Sequence, residues 1–174
     1  MGAGQNNRSP ATDAVVGAIA GIAATAVMTV SAASLYERLP RADRYPLPPR
    51  ELTERVASTA GVGERLGEDE LTAATLTAHF GFGAGVGALY ALALRGRRVQ
   101  PAVAGVGYGL AVWTASYLGW IPMLKLLRPA TAHPPARNAL MIAVHVLWGA
   151  TLGLVADRLF RSLNPLGSGA LRDR

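Results

Sequence analysis

The sequence predicts an all-α integral membrane protein with four transmembrane helices, on three observations. Four windows, residues 14–36, 71–94, 101–124 and 139–156, contain no Asp, Glu, Lys or Arg. One helix needs about 20 mostly apolar residues to cross a hydrocarbon core. The charge is low and gathered between the windows: 16% of the chain is charged and 51% hydrophobic, with a mean hydropathy of +0.26. Soluble domains carry about 25% charge. Finally, every window holds a Gly-xxx-Gly pair, the spacing that lets helix backbones approach closely in lipid.

Taken in order, residues 1–13 read as a small, polar, disordered tail. The first span, residues 14–36, has 23 residues, longer than the ~7–15 of a signal-peptide apolar region, and so reads as a retained anchor. Residues 37–70 form the largest extramembrane loop. Its proline-rich part, Tyr45-Pro-Leu-Pro-Pro-Arg50, is a stiff connector, because proline fixes φ and lacks an N–H. Pro49 can open a short interfacial helix over about residues 50–60, with Glu51 and Glu54 in its first turns and Gly61 and Gly63 past its end. Glu68-Asp69-Glu70 then meets the positive N-terminus of the second span. Arg95-Gly-Arg-Arg98 leaves room only for a tight turn into the third span, whose far end carries Trp113, Tyr117 and Trp120. Tyrosine and tryptophan favour the membrane interface. A second proline loop precedes the fourth span, and residues 157–174 form a basic tail.

The net charge is +6, and Lys125 is the only lysine among 17 basic residues. These arginines stand in short clusters beside apolar spans, which points to anionic lipid head groups rather than nucleic acid as the partner. Four spans put both termini on one side. Three arginines in the 95–98 turn, with Arg158 and Arg161 at a helix end, favour N-in/C-in. The absence of cysteine excludes disulfides, thiolate metal sites and thiol nucleophiles.

The spans also look internally repeated. A shift of 66 residues lays His145, Gly149 and Gly153 on His79, Gly83 and Gly87, and a shift of 88 lays Gly105 and Gly109 on Gly17 and Gly21. The implied unit is span, proline loop, span, a tandem duplication with both copies in one orientation. Glycine-rich composition is the rival explanation.

His79 and His145 are the chemically distinctive residues. Each stands four before a glycine and so shares its helix face. At 1.5 Å per residue they lie roughly 12 and 9 Å in from the same side of the bilayer. Ionisable residues inside a membrane are costly and so are functional candidates. Two readings stay open. One is a proton-responsive or polar site shared with Tyr117 and Ser116, with Ser31 or Thr29 assisting. The other is neutral imidazoles that fix packing through hydrogen bonds. Two histidines without carboxylate or cysteine make a poor metal cage, so no metal and no other cofactor is expected. Arg50 and Arg137 follow proline pairs on the same side and are candidates for anion or lipid head-group contact. Gly17, Gly21, Gly83, Gly87, Gly105, Gly109, Gly149 and Gly153 are the expected helix-packing positions. Gly83-Ala-Gly-Val-Gly-Ala88 fits a dinucleotide fingerprint only in letters, since it lies mid-span rather than after a strand.

Pro46-Leu-Pro-Pro-Arg50 after a first span, with His145-Val-Leu-Trp148 leading into a basic helix end, resembles the YagU-like family of bacterial inner-membrane proteins. The resemblance implies a small multi-pass protein of the inner membrane without an established activity. The loop between the first two spans is shorter here than in that family, so only the motif is carried over. The expected function is non-enzymatic: an accessory or self-associating bundle with a buried, pH-sensitive histidine pair, whose partners are the bilayer, itself or a larger membrane complex. The alternative is a small-solute or proton pathway with the histidines as relays.

Overall fold

The structure is a computed structural model that describes residues 8–163. Those residues form helices, turns and loops, with no strand among them. The long helices are α1 (Pro10–Tyr36), α3 (Glu68–Ala93) and α6 (Pro135–Ser162), and each is long and apolar enough to cross a membrane. Between them stand α2 (Pro48–Thr59), α4 (Pro101–Thr114) and the single turn α5 (Ile121–Met123).

The helix starts follow local chemistry. Proline occupies the first turn of α1, α2, α4 and α6, where its missing N–H costs nothing. Ser9 Oγ accepts from Thr12 N at 3.1 Å, and the Gln100 side-chain carbonyl accepts from Val103 N. Glu70 reaches back to accept from Gly67 N. The tail expected over residues 1–13 is therefore shorter: residues 10–13 are helical, and residues 1–7 lie outside the described part. Likewise α6 continues through Asp157 to Ser162, and of the expected basic tail residues 164–174 lie outside the described part. Gly61 (φ +70°) and Gly96 (φ +73°) supply the left-handed turns after α2 and α3.

The expectation of one unbroken helix over residues 101–124 needs correction. α4 stops at Thr114, residues 115–120 form a π turn, and Gly119 leaves helical geometry at φ −114°, ψ −112°. Pro122 is the physical reason. It has no N–H for the Leu118 carbonyl, and its ring crowds that turn. The backbone answers with a five-residue hydrogen bond from Ile121 N to Ser116 O. α5 closes with Lys125 N bonded to Pro122 O at 2.9 Å and Leu126 N to Ile121 O at 3.1 Å. That is the Schellman arrangement, with Lys125 (φ 55°) where glycine is usual.

Helices pack as two pairs, α1 on α3 and α4 on α6, and α1 against α6 joins them. Glycine sets both pair contacts. A Cβ on Gly21 would stand 2.2 Å from Gly83 O, one on Gly17 2.3 Å from Gly87 O, one on Gly105 2.0 Å from Gly149 O, and one on Gly109 2.4 Å from His145 O. Backbones touch at these points, and no side chain can enter. The second seam is slipped one turn relative to the 66- and 88-residue shifts, which would set Gly105 against Gly153. Between the pairs, Ala20 and Ala24 of α1 face the larger Val144, Trp148 and Leu152 of α6 in one apolar core.

At one end of the bundle, Asp13 is 1% exposed and lies 3.0 Å from both Arg8 Nε and Arg95 Nε. The Arg8 guanidinium covers the Phe160 ring at 4.4 Å. The start of α1, the 94–100 turn and the end of α6 therefore meet there.

Candidate functional site

Toward the other end, the two helix pairs enclose a cavity of about 690 Å³. Its walls are the second half of α1, the first half of α3, the π turn and the middle of α6, with α2 lying across as a cover. The lining is overwhelmingly apolar, and apart from Arg50 at the rim its polar members fall into two kinds. Thr25, Thr29, Thr53 and Thr75 each donate to the carbonyl four residues earlier, at 2.7–2.9 Å, and so are satisfied by their own helices. Thr25 also accepts from Trp148 Nε1 at 3.1 Å.

The second kind is His79, Ser116, Tyr117 and His145. The structure brings all four to this cavity from α3, the π turn and α6. Ser116 is 4% exposed and His145 7%. Among the described residues, the side chains of His79, Ser116 and Tyr117 make no hydrogen bond. His145 donates from Nδ1 to Met141 O at 2.7 Å, with the Tyr117 ring edge-on at 5.8 Å between centroids. In the neutral imidazole this bond leaves Nε2 as an acceptor. His79 and Tyr117 are half-buried, so three side chains and one ring nitrogen keep hydrogen-bonding capacity open to the cavity. Thr29 lines the cavity as well, whereas Ser31 does not.

The two arginines separate. Arg50 lines the cavity rim, bonded through Nε to Glu54 Oε1 at 2.6 Å and through Nη2 to Glu68 Oε2 at 2.8 Å. These hydrogen bonds raise its pKa further above the ordinary guanidinium value. They also tie the start of α2 to the start of α3. Arg137 is 2% exposed and lies outside the cavity. It donates to Tyr45 O at 2.9 Å and to Pro46 O, pairs with Glu51 at 3.3 Å, and stacks 3.6 Å over the Tyr45 ring. Its fork is thus occupied in holding the Tyr45–Arg50 connector. Tyr45 in turn shares a 2.6 Å hydrogen bond with His133 Nδ1. His133 Nε2 faces the Arg128 carbonyl at 3.2 Å and must carry the proton there, so in the neutral ring Nδ1 accepts and the Tyr45 phenol donates.

Sequence reasoning missed Phe82 and Trp148 as cavity residues and read Trp120 as an interface aromatic. The Phe82 and Trp120 rings approach to 6.3 Å and form the wall between α3 and the π turn. Pro122, which breaks the third apolar window, was the signal for that wall. Thr25 could have been found from its spacing, one and two turns beyond Gly21 and Gly17. Among the described residues, no three His, Cys, Asp or Glu side chains gather in a metal-binding group.

The family described as "Protein of unknown function (DUF1440)" matches residues 39–154, which is 116 of the 174 residues. The chain belongs to that uncharacterised family. No curated protein and no solved structure matches it.

Proposed function

We infer that the chain is a non-enzymatic, multi-pass protein of the bacterial inner membrane that holds a small amphipathic molecule in its interhelical cavity. In this reading it crosses the membrane four times, with residues 101–124 crossing as the broken segment α4–π turn–α5. The YagU-like resemblance of Pro46–Arg50 is carried forward with it. Arg95, Arg97 and Arg98 share an end with Arg158 and Arg161, which favours that end as the cytoplasmic side.

One observation supports the reading: hydrogen-bonding groups with unused capacity, His145 Nε2 and the side chains of His79, Ser116 and Tyr117, line a largely apolar cavity. Its volume, about 690 Å³, lies within the ~300–1,000 Å³ typical of small-molecule sites. No carboxylate lines it, and Ser116 makes no hydrogen bond to either histidine, so no activated nucleophile is assembled.

The rival reading, a proton or solute pathway, is less well supported. Beyond Trp148 the interior is Ala20, Ala24, Leu152 and Ala156, all apolar and buried. The nearby hydroxyls of Tyr90 and Tyr108 are engaged by the Pro101 and Val86 carbonyls. Liposomes carrying wild-type protein should show the proton flux of empty liposomes, and the double variant His79→Gln, His145→Gln should not change it. Wild-type flux above background that the double variant abolishes would establish the pathway instead.

Self-association has its own support. Gly81 and Gly85 form a further Gly-xxx-Gly on α3, and a Cβ at either meets nothing within 4 Å. The eight glycines of the two seams are already used inside one chain. In this second reading Gly85→Leu lowers a dimer population in mild detergent and leaves the monomer folded.

A further inference from the structure

We propose that the occupant of the cavity is a neutral acylglycerol, which enters from the bilayer between α3 and the π turn and places one acyl chain inside. This rests on the holding reading above and names its ligand.

The entrance follows from how the walls are made. α1 and α3 are sealed by the Gly17, Gly21, Gly83 and Gly87 backbone contacts, and α4 and α6 by the corresponding glycines of the second pair. α1 also packs directly on α6. Between α3 and the π turn the wall is instead two side chains, Phe82 and Trp120, which are 45% and 39% exposed. Rings rotate about χ1 and χ2 without breaking a helix contact, whereas opening a glycine seam separates backbones. α3 is one of the helices long and apolar enough to cross a membrane, and in the four-span reading above the outside of this wall faces hydrocarbon. The cover, α2, is fixed at its N-terminal end by the Arg50–Glu68 pair and the Arg137 clamp.

The head group follows from the donor and acceptor set. A neutral His145 ring, with Nδ1–H on Met141 O, accepts through Nε2. Ser116 and Tyr117 have hydroxyl protons to give. A complementary head group therefore carries a hydroxyl to donate and carbonyl oxygens to accept, both uncharged. A glycerol ester with a free hydroxyl, a mono- or diacylglycerol, has both, and a quinone or a plain hydrocarbon lacks the donor. A phosphate head group fits poorly, because the one arginine at the rim is already paired with two carboxylates. Burying an unpaired charge among apolar walls is costly.

Trp148 lines the cavity and is 3% exposed, so a brominated chain that quenches its fluorescence must come inside. The experiment uses the full chain with Trp113→Phe, in phosphatidylcholine nanodiscs, keeps Trp120 in the wall, and takes the Trp148 signal as the difference from a Trp113→Phe, Trp148→Phe reference. It titrates three probes that share a dibromostearoyl chain: a monoacylglycerol, a phosphatidylglycerol and a phosphatidylcholine. The expected result is saturable quenching by the monoacylglycerol, severalfold stronger than by either phospholipid at equal mole fraction. Ser116→Phe, which fills the cavity, should abolish it. The milder His145→Phe should weaken it roughly tenfold, the worth of one lost hydrogen bond, and circular dichroism of both variants checks that they fold. Equal quenching by all three probes overturns the assignment, as does quenching that Ser116→Phe leaves intact. Preference for phosphatidylglycerol overturns the neutral head group and leaves the holding reading standing. Saturable quenching by none of the three overturns both.

Discussion

Trp148 Nε1 donates to Thr25 Oγ1 at 3.1 Å, and the same hydroxyl donates to Gly21 O at 2.8 Å. This one oxygen therefore joins α6 to α1 across the interface between the two glycine-packed pairs. It also lies where a Cβ on Gly83 would stand, 2.0 Å away. Three helices meet at a single hydroxyl.

Thr25→Val keeps the shape and removes both bonds. The indole N–H is then left unpaired in an apolar interior, and stability should fall by about 1 kcal/mol. Trp148→Phe in the same background should cost less than in the wild type, because its partner is already gone. Thermal unfolding in detergent, run as a double-mutant cycle, measures the coupling; additive effects would show that the hydrogen bond contributes nothing.

Alanine at the seams should separate according to position. Gly21→Ala, Gly83→Ala and Gly105→Ala each push a Cβ into a backbone or side-chain oxygen and should destabilise by about 1–3 kcal/mol. Gly81→Ala and Gly85→Ala face open space and should be neutral or stabilising by up to about 1 kcal/mol through helix propensity. Unfolding midpoints across the five variants check this contrast.

Arg137→Lys keeps the charge but not the fork that reaches Tyr45 O, Pro46 O and Glu51 together. The loss should be about 1–3 kcal/mol, the cost of leaving buried carbonyl acceptors without their donor. Limited proteolysis should then cut within residues 37–47 well before global unfolding. Cleavage there at the wild-type rate would mean the connector is held by something other than Arg137.

The Arg50–Glu68 pair is exposed on the Glu68 side, so its contribution should be small and sensitive to salt. Hydrogen exchange in α2 should quicken in Glu68→Gln and also in wild type at high ionic strength, and the variant should lose that salt dependence. Unaltered exchange in α2 would show that this pair does not hold the cover.

Lys125 occupies a left-handed conformation at the end of α5. Lys125→Gly should stabilise by up to about 1 kcal/mol, whereas Lys125→Ala, with a Cβ still in place, should not. Their midpoints in the same detergent decide it.

Much of this was legible in the residues. Charge-free windows located α1, α3 and α6 to within four residues at every end but the last, where α6 runs on past residue 156 to Ser162, because apolar length and capping chemistry are local properties. Gly-xxx-Gly spacing marked the eight positions that stand at the two seams. The third window misled, because hydropathy averages over Pro122 while the backbone cannot: one missing N–H converts a continuous helix into α4, a π turn and α5. Arg50 and Arg137 looked equivalent, each after a proline pair, yet one lines the cavity and the other grips the connector. Their difference lies in which loop folds over which helix, a long-range matter.

The sequence by itself determined an all-helical chain, the three long apolar helices among the four spans it predicted, and the small residues that let them touch. Only the tertiary structure decided that α1 pairs with α3 and α4 with α6, that the second seam slips by one turn, and that His79, Ser116, Tyr117 and His145 face a common space. The physical reason is that periodicity and composition act within one helix. A cavity is the volume that several helices fail to fill, and it depends on the register at which their glycines lock.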